Sequence, residues 1–150
     1  MVENLTYVLI HSPLVGPLTW QLIHHEMDKR GIESIVPTLS DYPNSTLPYW
    51  QQHAESLVKS LARTPPNRSI VLVAHSGAGP LLPIIRQSMV HSIGAYVFVD
   101  AGIPRNGAGR IDLMRLEDPE WAEQFHQTLL LGERFPNWND DDLQEIIPND

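Results

Sequence analysis

Four short strand-like segments pattern the first hundred residues: Tyr7 to Ile10, Ile32 to Val36, Ile70 to Ala74 and Ile93 to Val99. The continuous apolar run Ile70 to Ala74, rich in β-branched residues, predicts a strand buried on both faces. Between them the apolar period lengthens to that of a helix. Trp20, Ile23 and Met27 predict a helix over 19–29, stopped by Gly31. Leu47-Pro48 opens a second helix over 47–62, with Trp50, Ala54, Leu57, Val58 and Leu61 on one face. Thr64-Pro65-Pro66-Asn67 breaks it. A third helix follows the Ile70–Ala74 run and reaches Met89.

Alternation of strand and helix predicts an α/β fold: an open, mostly parallel sheet with flanking helices. In such sheets function gathers at the carboxyl ends of the strands. The loops at those ends carry His11–Leu14, Ser76–Gly79 and Asp100–Gly102. After Gly102 the texture changes. Pro104 to Gly109 is loop, Ile111 to Leu116 a short helix, and Asp118-Pro119 starts another with Trp121, Phe125 and Leu129 at helical spacing. Asp140 to Ile147 predicts a last amphipathic helix, and no strand pattern follows. Residues 1–103 therefore read as a core and 104–150 as a helical lid or cap.

A length of 150 residues suits one core, and 42% hydrophobic with 19% charged residues is an ordinary globular balance. The formal net charge of −8 argues against nucleic acid and anionic membrane as partners, since both would be repelled. The cysteine count of 0 removes disulfides, thiolate metal sites and a cysteine nucleophile together. No apolar run approaches a membrane span, and Met1–Thr6 lacks a basic leader region, so a cytoplasmic location is expected. No metal and no cofactor are expected either. His24 and His25 are adjacent and do not share a helix face. Asp140-Asp141-Asp142 lacks the alternating ligands and turn glycine of a calcium loop.

The candidate chemistry lies where the third strand ends. Ala74-His75-Ser76-Gly77-Ala78, with Gly79 one further on, places one serine between small residues in a strand-to-helix turn. Such a turn lifts Ser76 above the sheet edge, and Gly77 offers a backbone N–H beside it. A turn of suitable Ser and Gly with no chemistry is the plainer reading of the same residues. The stretch resembles the nucleophile elbow of the α/β-hydrolases, with alanine at two positions where that pattern has glycine. Other matches follow in order. Val8 to Trp20 resembles that family's first strand, His-Gly oxyanion loop and following Trp-bearing helix; Ile35 to Leu39 resembles a strand ending in Pro-Asp-Leu; Ala95 to Ala101 resembles the strand after the elbow. The resemblance spans Tyr7 to Gly102 and points to the small esterase and thioesterase-like branch, with residues 104–150 expected to lie in that branch's cap region.

That resemblance implies Ser76 as nucleophile, with Gly77 and Leu14 as oxyanion donors and His11 beside the oxyanion loop. The family's His-Gly is here His11-Ser12, and Pro13, at the position that often donates, has no N–H. Loss of one donor costs about 2.7–4 kcal/mol of transition-state stabilisation. Asp100 sits where some members of the wider family keep their acid; as a plain turn residue it would cap backbone N–H groups instead. The family's late catalytic histidine has no counterpart among the 7 histidines. His75 is adjacent to Ser76 and points away from it; His24, His25 and His53 are expected at the solvent or helix boundary; His126 on the cap is the one placed to swing over Ser76.

Two functions compete. One is a serine hydrolase of a small-molecule acyl ester or thioester, with Trp121, Phe125 and Trp138 in an apolar acyl pocket or merely packed in the lid. The other is a non-catalytic binding or scaffolding protein that holds an anion at Ser76–Gly79. Dinucleotide binding is the poorer third, for no G-x-G-x-x-G follows the strand. A sheet that ends at Ile93–Val99 exposes an apolar edge, so a homo-oligomer covering that edge is expected.

Overall fold

The computed structural model describes residues 4–133. They form two compact units, one running to Gly107 and the other starting at Ala108. The first unit holds a four-stranded sheet: β1 (Leu5–Ile10), β2 (Ser34–Ile35), β3 (Ser69–His75) and β4 (Ile93–Val99). Their order across the sheet is β2-β1-β3-β4, and every pair is parallel. The sheet and its flanking helices are those the apolar runs predict. The second strand is shorter than expected. Only Ser34 and Ile35 join the ladder, opposite Tyr7 and Val8, because Pro37 follows at once and cannot donate.

The strand alternation sorts side chains onto two faces. On one, Val8 and Ile10 of β1 and Ile70, Leu72 and Ala74 of β3 pack beneath α2 (Tyr49–Ser60) and α3 (Leu82–Ser88). Leu57, Leu82 and Ile85 reach into that layer and are almost fully buried. On the other face, Leu9, Val71 and Val73 meet Trp20 and Met27. Trp20 closes a 3₁₀ turn at Pro17–Trp20 that leads into α1 (Gln21–Lys29).

This second face is thinly covered. No residue of α1 is buried. Ile23, expected to face inward, is 49% exposed, and Leu18 and Leu22 are exposed further still. Apolar contact with this face of the sheet comes from Trp20, just before the helix, and Met27 near its end. Trp50 likewise leaves the face of α2 that its spacing predicts and is exposed, while Ala54, Leu57 and Leu61 are buried. His53 departs the other way. It is buried on α2 rather than at the solvent boundary, and its Nδ1 has no partner among the described residues.

β4 is the edge strand, as the sequence predicts. Its composition is that of a strand buried on both faces, yet Tyr96, Val97 and Val99 are all exposed. In register, Ala95 and Val97 lie beside Val71 and Val73, on the face that α1 leaves open.

The second unit contains α4 (Arg110–Glu117) and α5 (Pro119–Leu130). Both have side-chain caps: Asp112 Oδ2 accepts the Gly109 N–H at 2.8 Å, and Asp118 Oδ1 accepts the Trp121 N–H at 2.9 Å. Met114, Ala122 and Phe125 pack together between them. The helix expected at Asp140–Ile147 lies outside the described residues. No helix among the described residues is long and apolar enough to cross a membrane.

An unpaired, uncharged, apolar edge recruits another strand. The chain is expected to sediment as a self-associated species, and Val97→Lys to shift it toward monomer. A monomeric wild-type chain in analytical ultracentrifugation would overturn this expectation.

Candidate active site

The sheet order contains one reversal. From β1 the chain steps outward to β2, then returns past β1 to β3 and continues to β4. The crevice between the carboxyl ends of β1 and β3 is therefore the topological switch point, where open α/β sheets bind ligands. The last paired residues there are Ile10 and Ala74. His11-Ser12 and His75-Ser76 follow them directly, one pair on each side of the crevice.

Ser76 has φ +51°, one of two non-glycine residues with positive φ among the described residues. A left-handed serine costs backbone energy and persists only where its surroundings enforce it. Here β3 ends at His75, and a 3₁₀ helix starts at Ser76 and runs to Leu81 before α3. A single left-handed residue makes the chain turn between the two. Ala74 and Ala78, flanking the turn, are both fully buried, which leaves no room for larger side chains. Ser76 and Gly77 remain half-buried and reachable from solvent. The Gly77 N–H belongs to the first turn of the helix, whose own carbonyls leave it unpaired.

Asp100 is the other left-handed residue, with φ +44°. The final pair between β3 and β4 is His75 with Val99. Ser76 and Asp100 thus occupy equivalent positions on neighbouring strands, each the first residue beyond the ladder. Asp100 is exposed.

His11 is buried and bonded at both ring nitrogens. The Leu39 N–H donates to Nε2 at 3.1 Å, so Nε2 carries no proton. The proton is then on Nδ1, which donates to the Ser12 carbonyl at 2.8 Å. Only the neutral ring makes both bonds. Burial, opposed by the Ser12 carbonyl and reinforced by nearby His53, lowers the His11 pKa from its ordinary value. His11 therefore clamps the loop after β1 to the loop after β2 and has no free nitrogen for a substrate. The Leu14 N–H, the alternative oxyanion donor, is directed at Ser12 Oγ at 3.3 Å within its own loop. Pro13 is exposed.

The remaining histidines are placed as follows. His75 is half-buried below the turn, with its ring edge-on to Trp20 at 6.1 Å between centroids, and its Nδ1 has no partner among the described residues. His24 bonds Ser34 Oγ at 2.7 Å, and His25 is exposed on α1. His91 is buried against the Thr64 carbonyl at 3.2 Å. In the second unit, the Arg115 guanidinium donates to His126 Nδ1 at 3.4 Å, and Trp121 stacks on Phe125. No group of three metal-ligating side chains occurs among the described residues.

Two supports escape a reading of the sequence. Gln52 on α2 holds the loop after β2, accepting the Tyr42 N–H and donating to the Leu47 carbonyl, both at 2.6 Å. Ser56 accepts the Ser40 N–H at 3.1 Å. No local pattern signals these bonds. A cleft of about 450 Å³ lies elsewhere, lined by Val58, Leu61, Met89 and His91. It sits at the opposite ends of the strands from Ser76.

No known family pattern matches the sequence, and no curated protein matches it. Solved structures do. An extracellular α/β-hydrolase from a Paenibacillus species, described as a structural and functional homologue of tobacco salicylic acid binding protein 2, matches with a TM-score of 0.71 at 23% identity; the match covers 85% of this chain and 52% of that one. Polyneuridine aldehyde esterase matches with a TM-score of 0.62 at 19% identity, over 93% and 55%. Tomato methylketone synthase I, solved with 2-tridecanone, matches with a TM-score of 0.61 at 20% identity, over 81% and 47%. The chain therefore has the α/β-hydrolase fold, and it spans about half the length of these solved chains.

The His11 clamp makes a pH prediction. A histidine whose folded pKa is lowered contributes stability that is complete above its unfolded value, about 6.5. That stability is lost as pH falls through the lowered folded value. Wild type is expected to lose more stability between about pH 7 and 5 than His11→Phe, which strands two backbone groups and starts about 1–3 kcal/mol lower. Urea unfolding at each pH checks this; parallel curves for the two proteins would refute it.

Proposed function

We propose that this chain carries the nucleophile side of a serine esterase that acts on a small-molecule ester or thioester. The observation that carries the reading is the left-handed Ser76 at the carboxyl end of β3, beside the switch point of the sheet. The fold supports it, since solved chains with this fold are esterases and hydrolases by description.

In this reading Ser76 Oγ attacks the acyl carbonyl carbon, and its proton passes to a base. The carbonyl oxygen becomes an oxyanion and takes the Gly77 N–H. Collapse expels the alcohol or thiol, which regains a proton, and leaves an acyl-serine. Water then adds to the acyl carbonyl, the bond to Ser76 Oγ breaks, and Ser76 regains its proton as the carboxylic acid leaves. Asp100, at the equivalent position one strand over, is the acid that orients the base. A shift of the 12–15 loop that freed the Leu14 N–H from Ser12 would add a second oxyanion donor.

The base is the component to be supplied. His11, His24 and His91 are held by other groups, and no hydrogen bond joins a histidine to Ser76 among the described residues. Free imidazole serves as the base in a test, because a small diffusible base can reach the half-buried Ser76.

Folded protein treated with a fluorophosphonate in imidazole buffer is expected to gain a single adduct by intact mass. The adduct should be absent from Ser76→Ala and from urea-unfolded protein, and its rate should rise with imidazole. No adduct on the folded protein at any imidazole concentration would refute the esterase reading and leave a binding scaffold.

A further inference from the structure

We propose that Gly79 is a positioning residue that sets the spacing between Ser76 and Asp100, an inference that rests on the esterase reading of Ser76. Gly79 is buried in the 3₁₀ helix that starts at Ser76. Its φ is not in the left-handed region, so glycine is not required there by backbone conformation. Space requires it. A Cβ at position 79 would lie 2.1 Å from the Gly102 carbonyl oxygen, 3.1 Å from the Gly102 carbonyl carbon and 3.3 Å from Ala101 Cβ. Cβ atoms essentially never approach other atoms closer than 3.0 Å, so any side chain at 79 requires the neighbouring backbone to shift. The obstacle is backbone, which cannot rotate aside as a side-chain tip would.

The place of this contact gives it meaning. A 3₁₀ helix has three residues per turn, so residues i and i+3 eclipse. Ser76 and Gly79 are therefore stacked on one side of the helix. Gly102 is two residues beyond Asp100, and the intervening backbone turns sharply at the left-handed Asp100. The loop after β4 is thus pressed backbone to backbone against the first turn of the elbow helix. The sheet aligns Ser76 and Asp100 only up to His75 and Val99. Beyond the ladder, Gly79 and Gly102 bring the two loops into close approach.

A methyl group at position 79 must move the Gly102 carbonyl by about 0.9 Å, from 2.1 Å to 3.0 Å. A displacement of about 1 Å in a reacting constellation costs about 10²-fold in rate. Gly94, on β4, is the control. A Cβ there meets the Leu5 Cδ2 tip at 3.3 Å, a flexible neighbour that can give way.

The experiment compares wild type, Gly79→Ala and Gly94→Ala by amide NMR and by fluorophosphonate labelling in imidazole. Gly79→Ala is expected to shift the amides of Ser76 and Gly77 together with those of Asp100 and Gly102, and to slow labelling about 10²-fold. Gly94→Ala is expected to do neither. Asp100→Asn closes a double-mutant cycle: it should slow wild type and add little in the Gly79→Ala background, whereas a merely structural Gly79 would give additive losses. Should Gly79→Ala fail to fold, Ala101→Gly loosens the same loop without an added atom and is expected to shift the Asp100 and Gly102 amides and slow labelling severalfold. Elbow shifts that leave residues 100–102 unmoved, or an unchanged labelling rate, would overturn the proposal and leave the esterase reading intact. A wild-type protein that takes no label, with the two loops still shifting together, would overturn the esterase reading alone.

Discussion

The burial of β3 is the constraint on which the rest of the first unit depends. It is the inner strand that carries Ser76, paired with β1 on one edge and β4 on the other. Both its faces are covered, by α2 and α3 above Ile70, Leu72 and Ala74, and by Trp20 beside Val71 and Val73. Each such side chain contributes about 1.5–3 kcal/mol when fully buried. No polar side chain fits along the strand interior, so the first polar groups appear where it leaves the sheet, at His75 and Ser76. The turn there is anchored by apolar packing on one side and by buried small residues, Ala78 and Gly79, on the other. A rigid strand is what allows a serine to be held at φ +51°.

Coverage of the sheet is uneven, and the unevenness follows the chain. α2 and α3 share one face and enclose it. The other face has α1 alone, which rests on Trp20 and Met27 and turns Leu22 to solvent. β4 has the composition of a strand meant for burial on both faces, and it lacks cover on the α1 side. Apolar residues there are a mismatch between sequence and surroundings. The solved chains that share this fold are about twice as long as the stretch this chain matches.

At the switch point, the loop after β1 is held by interactions of a different kind. His11 is neutral, buried and doubly bonded, and it joins β1 to the segment after β2 across 28 residues of chain. Gln52 and Ser56 hold that same segment from α2. These polar ties cost little because every donor has an acceptor, and they would be expensive to break because the groups are buried. The Ser76 side of the crevice is thus set by apolar packing, and the opposite side by buried hydrogen bonds.

Much of this was legible in the residues. All four strands were named in advance, the third most directly, since a strand buried on both faces has nowhere to put a polar side chain and Ile70–Ala74 has none. The small residues around Ser76 named the turn, and Pro37 and Gly31 named element ends. The inner faces of the helices were less legible. Spacing put Ile23 and Trp50 inward, and both are exposed, because a period shows which residues share a face and not whether another element meets it. His53 was misplaced for the same reason. What the sequence by itself determined is local: strand, turn, helix, and the candidate serine between them. Tertiary structure decided the strand order, and with it the switch point, the equivalence of Ser76 and Asp100, the engagement of both His11 nitrogens, and the close approach of Gly79 to Gly102. Each of these depends on contacts between residues far apart in the chain, which no local pattern encodes.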